Sequence, residues 1–384
     1  MNNRRIQQVI FALFIALFFV SAPLVVLYTA GYRWSPQQGV IRTGTLFVAT
    51  TPKNATVNLG GKPYKDKTPT IIKTLKPAEY LIELALPGHL SWEKRLSIKE
   101  GETTFIDNVI LFLDTNPQLV IQEDMQTIAW SATGAHVAWA DHQAGWTEVW
   151  ISTLAKPASR LVYRVERDEH LALSWIDSET LEIKQTAGNH YVTSTGQLVS
   201  QVSHTRVTFQ KNTDSVDLLV NGTVLARLPF GTYTVLDERG PYILVQDTAH
   251  HRISLLTTAD TQQPLLLQED ALFVDWVRQD ALAFATEFSI SIYEPARHQT
   301  TLITRISERI HNVIWHPDGG YLFYATDTEL RAIELDDRDN RRVTTLVTMK
   351  HIYTFFAHPQ GNILYFVGND GIDTGLYQRL LFKK

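Results

Sequence analysis

Val313-Ile314-Trp315-His316-Pro317-Asp318-Gly319-Gly320-Tyr321-Leu322-Phe323-Tyr324 is the stretch on which the reading of this chain turns. A short apolar run ends in an aromatic, a tight turn follows, and a second apolar run begins. Pro317 fixes φ and Gly319 accepts φ > 0, which makes the turn. The run Tyr321–Ala325 carries no polar alternation, the pattern of a strand buried on both faces. A single sheet of such strands cannot bury both of its faces, but a ring of sheets can.

The form recurs. Ile128–Trp139 and Tyr353–Phe366 repeat it, and weaker copies run through Leu173–Asp177, Val235–Gly240 and Val274–Arg278. Trp276, Trp315 and Phe356 fall about 40 residues apart, the spacing of a four-stranded propeller blade. A third strand per unit reads at Glu148-Val149-Trp150-Ile151 and at Leu330-Arg331-Ala332-Ile333. Unit starts near Trp130, Trp175, Phe209, Leu236, Trp276, Trp315 and Phe356 give seven blades over 114–384; the Phe209 unit is short, and six follow if it belongs to a neighbour. Gln118-Leu119-Val120-Ile121 is placed to join the last blade and close the ring, and closure leaves few exposed edges. The Trp-x-Pro-Asp-Gly-like turns resemble those of TolB-type and WD-like propellers, most strongly in the units at Trp130, Trp315 and Phe356. That resemblance implies a ring face offered to a protein partner.

Upstream, residues 35–113 read as a small β-sandwich after a linker at Ser35-Pro36-Gln37-Gln38-Gly39. Strand patterns of period two occur at 45–49, 56–59, 70–72, 80–86, 92–98 and 103–111, and Gly60-Gly61 is a two-residue hairpin signal. Thr51-Pro52-Lys53-Asn54-Ala55-Thr56-Val57 resembles the turn and following strand of the PEGA domain family, with Lys53-Asn54 in place of Glu-Gly. Asn tolerates a left-handed backbone, so the turn survives the exchange. Gly61-Lys62, Thr68-Pro69, Leu75-Lys76-Pro77 before Tyr80, and Pro87-Gly88-His89 before Trp92 extend the resemblance. Ala78 stands where the family usually has Gly, a departure that bears on a φ > 0 turn there. The resemblance implies an extracytoplasmic sandwich akin to surface-layer and carbohydrate-binding modules, and no catalytic residue.

Residues 1–34 open the chain. Val9–Ala30 carries no charge and meets the length, about 20 residues, that spans a bilayer as a helix. Arg4 and Arg5 precede it while Arg33 and Arg42 follow, so the positive-inside rule puts residues 1–8 in the cytoplasm and 35–384 outside. Tyr28, Tyr32 and Trp34 fit an interfacial aromatic belt. A cleaved signal peptide is the competing reading; its apolar region is shorter, and neither Ser21-Ala22 before Pro23 nor Tyr28-Thr29-Ala30 makes a good cleavage site.

Composition limits function. Net charge is −5, with no basic block, which argues against nucleic acid as partner. Cysteine is absent, so disulfides, thiol nucleophiles and thiolate metal sites are excluded. His311, His316, His351 and His358 invite a metal reading, but His316 and His358 precede Pro in equivalent turns of different blades. His250-His251 reads as a solvated turn. Asp336-Asp337-Arg338-Asp339-Asn340 lacks the central Gly of a calcium loop, and Asn369-Asp370-Gly371-Ile372-Asp373 reads as a turn. Gly60-Gly61-Lys62 has neither the spacing nor the helix of a phosphate loop, and no Gly-x-Ser-x-Gly or His-Glu-x-x-His occurs. Asn54-Ala55-Thr56 and Asn221-Gly222-Thr223 fit glycosylation acceptors, as chance tripeptides often do.

The expectation is therefore a single-pass protein of the bacterial cell membrane, displaying a PEGA-like sandwich and then a propeller outside the cell membrane. It would be a non-enzymatic envelope binding or scaffold protein, touching wall polymer or glycan and a protein partner, with no catalytic, cofactor or metal residue. The alternatives are a hydrolase or lyase working in the propeller channel, and a sensory ectodomain. The enzyme would need inward-facing carboxylates, His or Arg at one channel mouth, and the linear sequence shows no such cluster.

Overall fold

The computed structural model describes the whole chain except residues 1–2, 36–38, 126, 167–170, 200–205, 259, 269, 279–280 and 384. It is almost wholly β, preceded by one helix, and divides in the main after Asp114 into two compact units.

The helix Asn3–Thr29 runs unbroken through Pro23. Its segment Ile10–Thr29 has a mean hydropathy of 2.8, and none of it is buried against the protein. Gly31, at φ 87, ends it, and the Arg33 guanidinium donates to the carbonyl of Tyr28 at 2.7 Å. That places a cation on carbonyls the helix cannot pair internally. The strands Tyr32–Ser35 and Gly39–Arg42 then pair antiparallel, with Trp34 opposite Val40. The expected linker is thus flanked by strands, and its Pro36-Gln37-Gln38 lies outside the described residues.

The sandwich packs two sheets. One has the order Thr70–Leu75, Gly44–Thr51, Thr103–Ile110, with the last two strands parallel. The other runs Lys62–Pro63, Thr56–Leu59, Ala78–Ala85, Trp92–Ile98. Alternation along Trp92–Ile98, buried at every second residue, sends Trp92, Leu96 and Ile98 inward onto Leu46, Val48, Val57, Ile82 and Leu84. Gly60 and Gly61, at φ 57 and 76, turn the Thr56–Pro63 hairpin, and Asn54 takes φ 69. The Thr68 hydroxyl is buried, bonds the Thr50 hydroxyl at 2.6 Å and accepts the Ala55 N–H at 3.0 Å, so the turn resembling PEGA is held by side chains. Ala78 simply starts a strand; the left-handed residue of that connection is Thr74, φ 61, where the register slips by one residue against Gly44–Leu46.

From Gln118 onward, seven antiparallel sheets follow in chain order. Blade 1 begins with Thr127–Trp130, blade 2 with Ala172–Trp175, blade 3 with Val207–Lys211 and blade 4 with Tyr233–Arg239. Blades 5, 6 and 7 begin with Phe273–Arg278, Asn312–Trp315 and His351–Ala357. The Phe209 unit has its own sheet, so the described sheets number seven. Gln118–Ile121 pairs with Thr374–Leu380 as the fourth strand of blade 7, Gln118 opposite Gln378, and so links the start of the ring to its end. The second strands Ala281–Ala285 and Tyr321–Ala325 are buried at every residue, which is why they read as unbroken apolar runs.

Neighbouring blades are joined largely by aromatic residues on or beside the first strands. Trp130 of blade 1 stacks on Phe356 of blade 7, with centroids 5.6 Å apart, and the Trp175 indole N–H donates to the Ala129 carbonyl at 3.1 Å. Phe209 stacks on Tyr233 at 5.9 Å, and Tyr242 packs tilted against Trp276 at 5.7 Å. Between blades 6 and 7 the link is His316. It is fully buried, its Nδ1 takes the Asp318 N–H at 3.2 Å, and its Nε2 bonds the Gly361 carbonyl at 3.0 Å. Burial keeps this imidazole neutral by pushing its pKa down.

Candidate functional site

The connections from fourth strand to next first strand, and from second to third strand, meet on one face of the ring. They are tied to one another by backbone hydrogen bonds: Ala271 N–H to the His251 carbonyl, Ile310 N–H to Glu287, His311 N–H to Ala325 and Ile352 N–H to Asp327. Side chains carried on these connections are therefore held on a rigid frame although they sit in loops.

In blades 4 to 6 this face opens into a cleft of about 380 Å³. Its apolar floor is Leu272, Phe273 and Ile310; Gln246, Thr248, His251, Arg309 and His311 supply the polar rim. Arg309 meets the Glu287 carboxylate at 3.0 Å. Asp327 faces three bases. A hydrogen bond from His311 holds its carboxyl below the ordinary value, against a small effect of burial, and the charges of His311, His351 and Arg309 add to this. His351 lies edge-on to His311 at 6.4 Å and to Tyr353 at 4.5 Å. Beneath the rim, Asp247 is buried and bonds His250 Nδ1 at 2.7 Å; burial raises its pKa, but the bonds from His250, Thr232 N–H and Ala249 N–H outweigh that and leave it lowered. Gly231 passes so close that a Cβ there would lie 2.7 Å from the Asp247 carboxylate. Farther out, Arg331 is clamped by both Glu308 and Glu329, whereas Arg309 has one carboxylate and a half-exposed side chain. A guanidinium has more donors than one carboxylate takes up, so the rim can bind a further carboxylate or carbonyl over an apolar floor.

A second polar set lies on first strands, where neighbouring blades approach one another. Asp237 and Arg239 of blade 4 are 3.6 Å apart, Arg239 lies over the Trp276 ring at 5.4 Å, and Asp275 of blade 5 accepts the Trp315 N–H at 3.4 Å. Burial pushes the Asp275 carboxyl up, and the Trp315 bond and Arg239 charge offset this only in part. This grouping is not apparent in the sequence, because Asp275 stands 36 residues beyond Arg239.

The sandwich offers a third surface. On the outer face of its three-stranded sheet, Phe47 stands opposite Ile71 on one side and Phe105 on the other, with Phe47 and Phe105 centroids 5.9 Å apart. Ile71 and Phe105 are 50 and 54 % exposed, so the row is an apolar stripe facing outward.

The residues singled out in the sequence sort differently. His311 and His351 come together on the loop face; His316 and His358 sit in the first-to-second-strand turns of adjacent blades, in packing roles. His250 and His251 do form a turn, yet one tethers Asp247 and the other lines the cleft. Asp336–Asn340 is a turn with Asp339 and Asn340 at φ 54 and 67, and the Asp370 carboxylate caps its own turn through Ile372 and Asp373 N–H groups, each at 2.8 Å. Among the described residues no three His, Asp or Glu side chains converge as metal ligands.

Residues 43–110 match the PEGA domain. No curated protein matches the chain significantly. Among solved structures, a chain in a structure titled "Crystal Structure of Mitotic Checkpoint Complex" superposes with a TM-score of 0.50 over 70 % of this chain and 95 % of its own, at 13 % identity. At that identity the likeness is one of fold.

Proposed function

We propose that this protein is a non-enzymatic binding platform of the bacterial cell envelope, tethered by its N-terminal helix with residues 35–384 outside the cytoplasm. The helix segment Ile10–Thr29 supports the tether: at 1.5 Å per residue it matches a bilayer core of roughly 30 Å, and none of it is buried in the protein. The PEGA domain contacts wall polymer or glycan. Its support is the flat row Ile71–Phe47–Phe105, bordered by the hydroxyls of Thr45 and Thr103, which suits the apolar face of a sugar ring.

The propeller binds a protein partner through the blade 4–6 cleft, and the single observation that carries this is the half-exposed Arg309 beside His251 and His311 above an apolar floor. A partner segment with an apolar side chain next to a carboxylate fits it, and rim charge sets how fast that partner arrives. In-cell photo-crosslinking tests the reading. A photoreactive residue at His251 gives one discrete adduct with an envelope protein, Arg309→Glu abolishes it, and the same residue at Gln360, on an exposed turn between first and second strands, gives none. Equal adducts from 251 and 360, or none from 251, refute it.

A channel enzyme has one observation in its favour, the Asp237–Arg239–Asp275 grouping. An Asp275→Asn variant that replaces the wild-type protein in cells without altering their growth or envelope argues against that reading.

A further inference from the structure

We propose that the hairpin made by Tyr32–Ser35 and Gly39–Arg42 is a lipid-binding element that lies in the headgroup layer and inserts Trp34 and Val40. This rests on reading the helix as a membrane anchor and goes beyond it, since a spanning helix needs no hairpin.

Directly opposed residues in a ladder project to the same side, and so do residues two apart. Trp34 and Val40 are opposed, and Tyr32 shares their face, leaving Arg33 and Ile41 on the other. The outward pair is 76 and 60 % exposed, while Arg33 and Ile41 are half-buried. The hairpin thus turns Trp34 and Val40 away from the protein. A two-stranded hairpin of this length is marginal in water, and leaving such a pair in water forgoes most of its burial energy.

The hairpin is nonetheless held in place at its base. The Thr43 N–H and hydroxyl both bond the Gly31 carbonyl, at 2.9 and 2.8 Å, and the Gly101 N–H bonds the Thr43 carbonyl at 3.2 Å. Arg33 lies 3.7 Å from the centroid of the Tyr28 ring. These ties fix the hairpin beside the end of the apolar helix, through Arg33 on one face, and leave the Trp34–Val40 face exposed there. The headgroup zone is about 5–8 Å deep per leaflet, and Trp34 stands only five residues past the helix end at Thr29, so a hairpin lying along the surface keeps it there. Trp and Tyr are the side chains that favour this zone, being apolar in body and polar at one edge.

Because the chain has no cysteine, single labels test this in the full protein. Val40→Cys, Phe14→Cys and Ile372→Cys each carry an environment-sensitive NBD fluorophore. The proteins are reconstituted in phosphatidylethanolamine–phosphatidylglycerol vesicles with a nitroxide lipid quencher. The expected result is a blue-shifted label at 40 that lipid nitroxide quenches several-fold more than the label at 372, with Trp34→Ser reducing the difference. A quenched label at 14 with a label at 40 indistinguishable from that at 372 overturns the hairpin proposal and leaves the anchor standing. A label at 40 shielded from aqueous iodide yet unquenched by lipid overturns it too, by showing a protein occupant. An unquenched label at 14 removes the anchor reading and the hairpin proposal with it.

Discussion

Gly361→Ala isolates how blades are locked to one another. Gly361 has φ 72, and a Cβ there would stand 2.6 Å from His316 Nε2, 2.9 Å from its Cε1 and 3.2 Å from Pro317 Cδ. An L-residue in that backbone region costs roughly 1–2 kcal/mol. The ring must also move, and a buried imidazole that loses its acceptor costs a further ~1–3 kcal/mol. The sum is about 2–5 kcal/mol, a large fraction of the stability of any domain. Gly240→Ala is the control, since φ is 59 there and nothing lies within 4 Å of the new Cβ. It bears the backbone cost alone, roughly 1–2 kcal/mol. Thermal unfolding of the full chain in detergent, followed by near-ultraviolet dichroism, measures both. The difference between the two variants is the contribution of the His316 lock, and Gly134→Ala, whose Cβ would meet Pro359 at 2.8 Å and His358 at 3.1 Å, repeats it at the junction of blades 7 and 1. Equal losses at 361 and 240 would refute the idea that these histidine turns bind neighbouring blades.

The remaining expectations concern charge and surface. Asp247→Asn destabilises the fold at pH 7 by about 1.5–3 kcal/mol, the worth of hydrogen bonds to a charged group, and so lowers the melting temperature. The folded carboxyl lies below its unfolded pKa of 3.8, so this contribution is present above that pH and fades as pH falls through the folded value; wild type and variant converge in acid. Asp275→Asn acts with the opposite sign. A raised folded pKa makes ionisation costly, so wild-type stability drops as pH climbs from 3.8 through the folded value, and the amide variant melts higher at pH 7 with a flatter pH profile. Phe105→Ala changes stability by no more than about 0.5 kcal/mol but lowers retention on isolated wall polymer in a sedimentation assay; unchanged retention removes the aromatic row from the glycan reading.

Legibility followed how local each cause was. The blades at Trp130, Trp315 and Phe356 could be read because strand, aromatic and turn lie within a dozen residues, and the turn uses residues with fixed backbone preferences. The Phe209 blade was ambiguous because its first turn has no Pro or Gly, only Asn212–Asp214, and its identity as a separate sheet rests on pairing to Ser215–Val220. The cleft was invisible, since Gln246–His251, Leu272–Phe273 and Arg309–His311 come from three blades. His316 was recognisable as part of a turn, but its acceptor, Gly361, lies 45 residues on. The Tyr32–Arg42 hairpin escaped notice because four-residue strands give little periodicity, and it is the bonds from Thr43 to Gly31 that close it.

The claim beneath all of this is that both β units work outside the cytoplasmic membrane. Ile372 is 89 % exposed at a blade 7 turn, and the chain carries no competing thiol. Sealed spheroplasts expressing full-length Ile372→Cys protein, treated with a membrane-impermeant maleimide, test the claim most directly. The account predicts complete labelling without lysis; labelling only after the membrane is broken would contradict it.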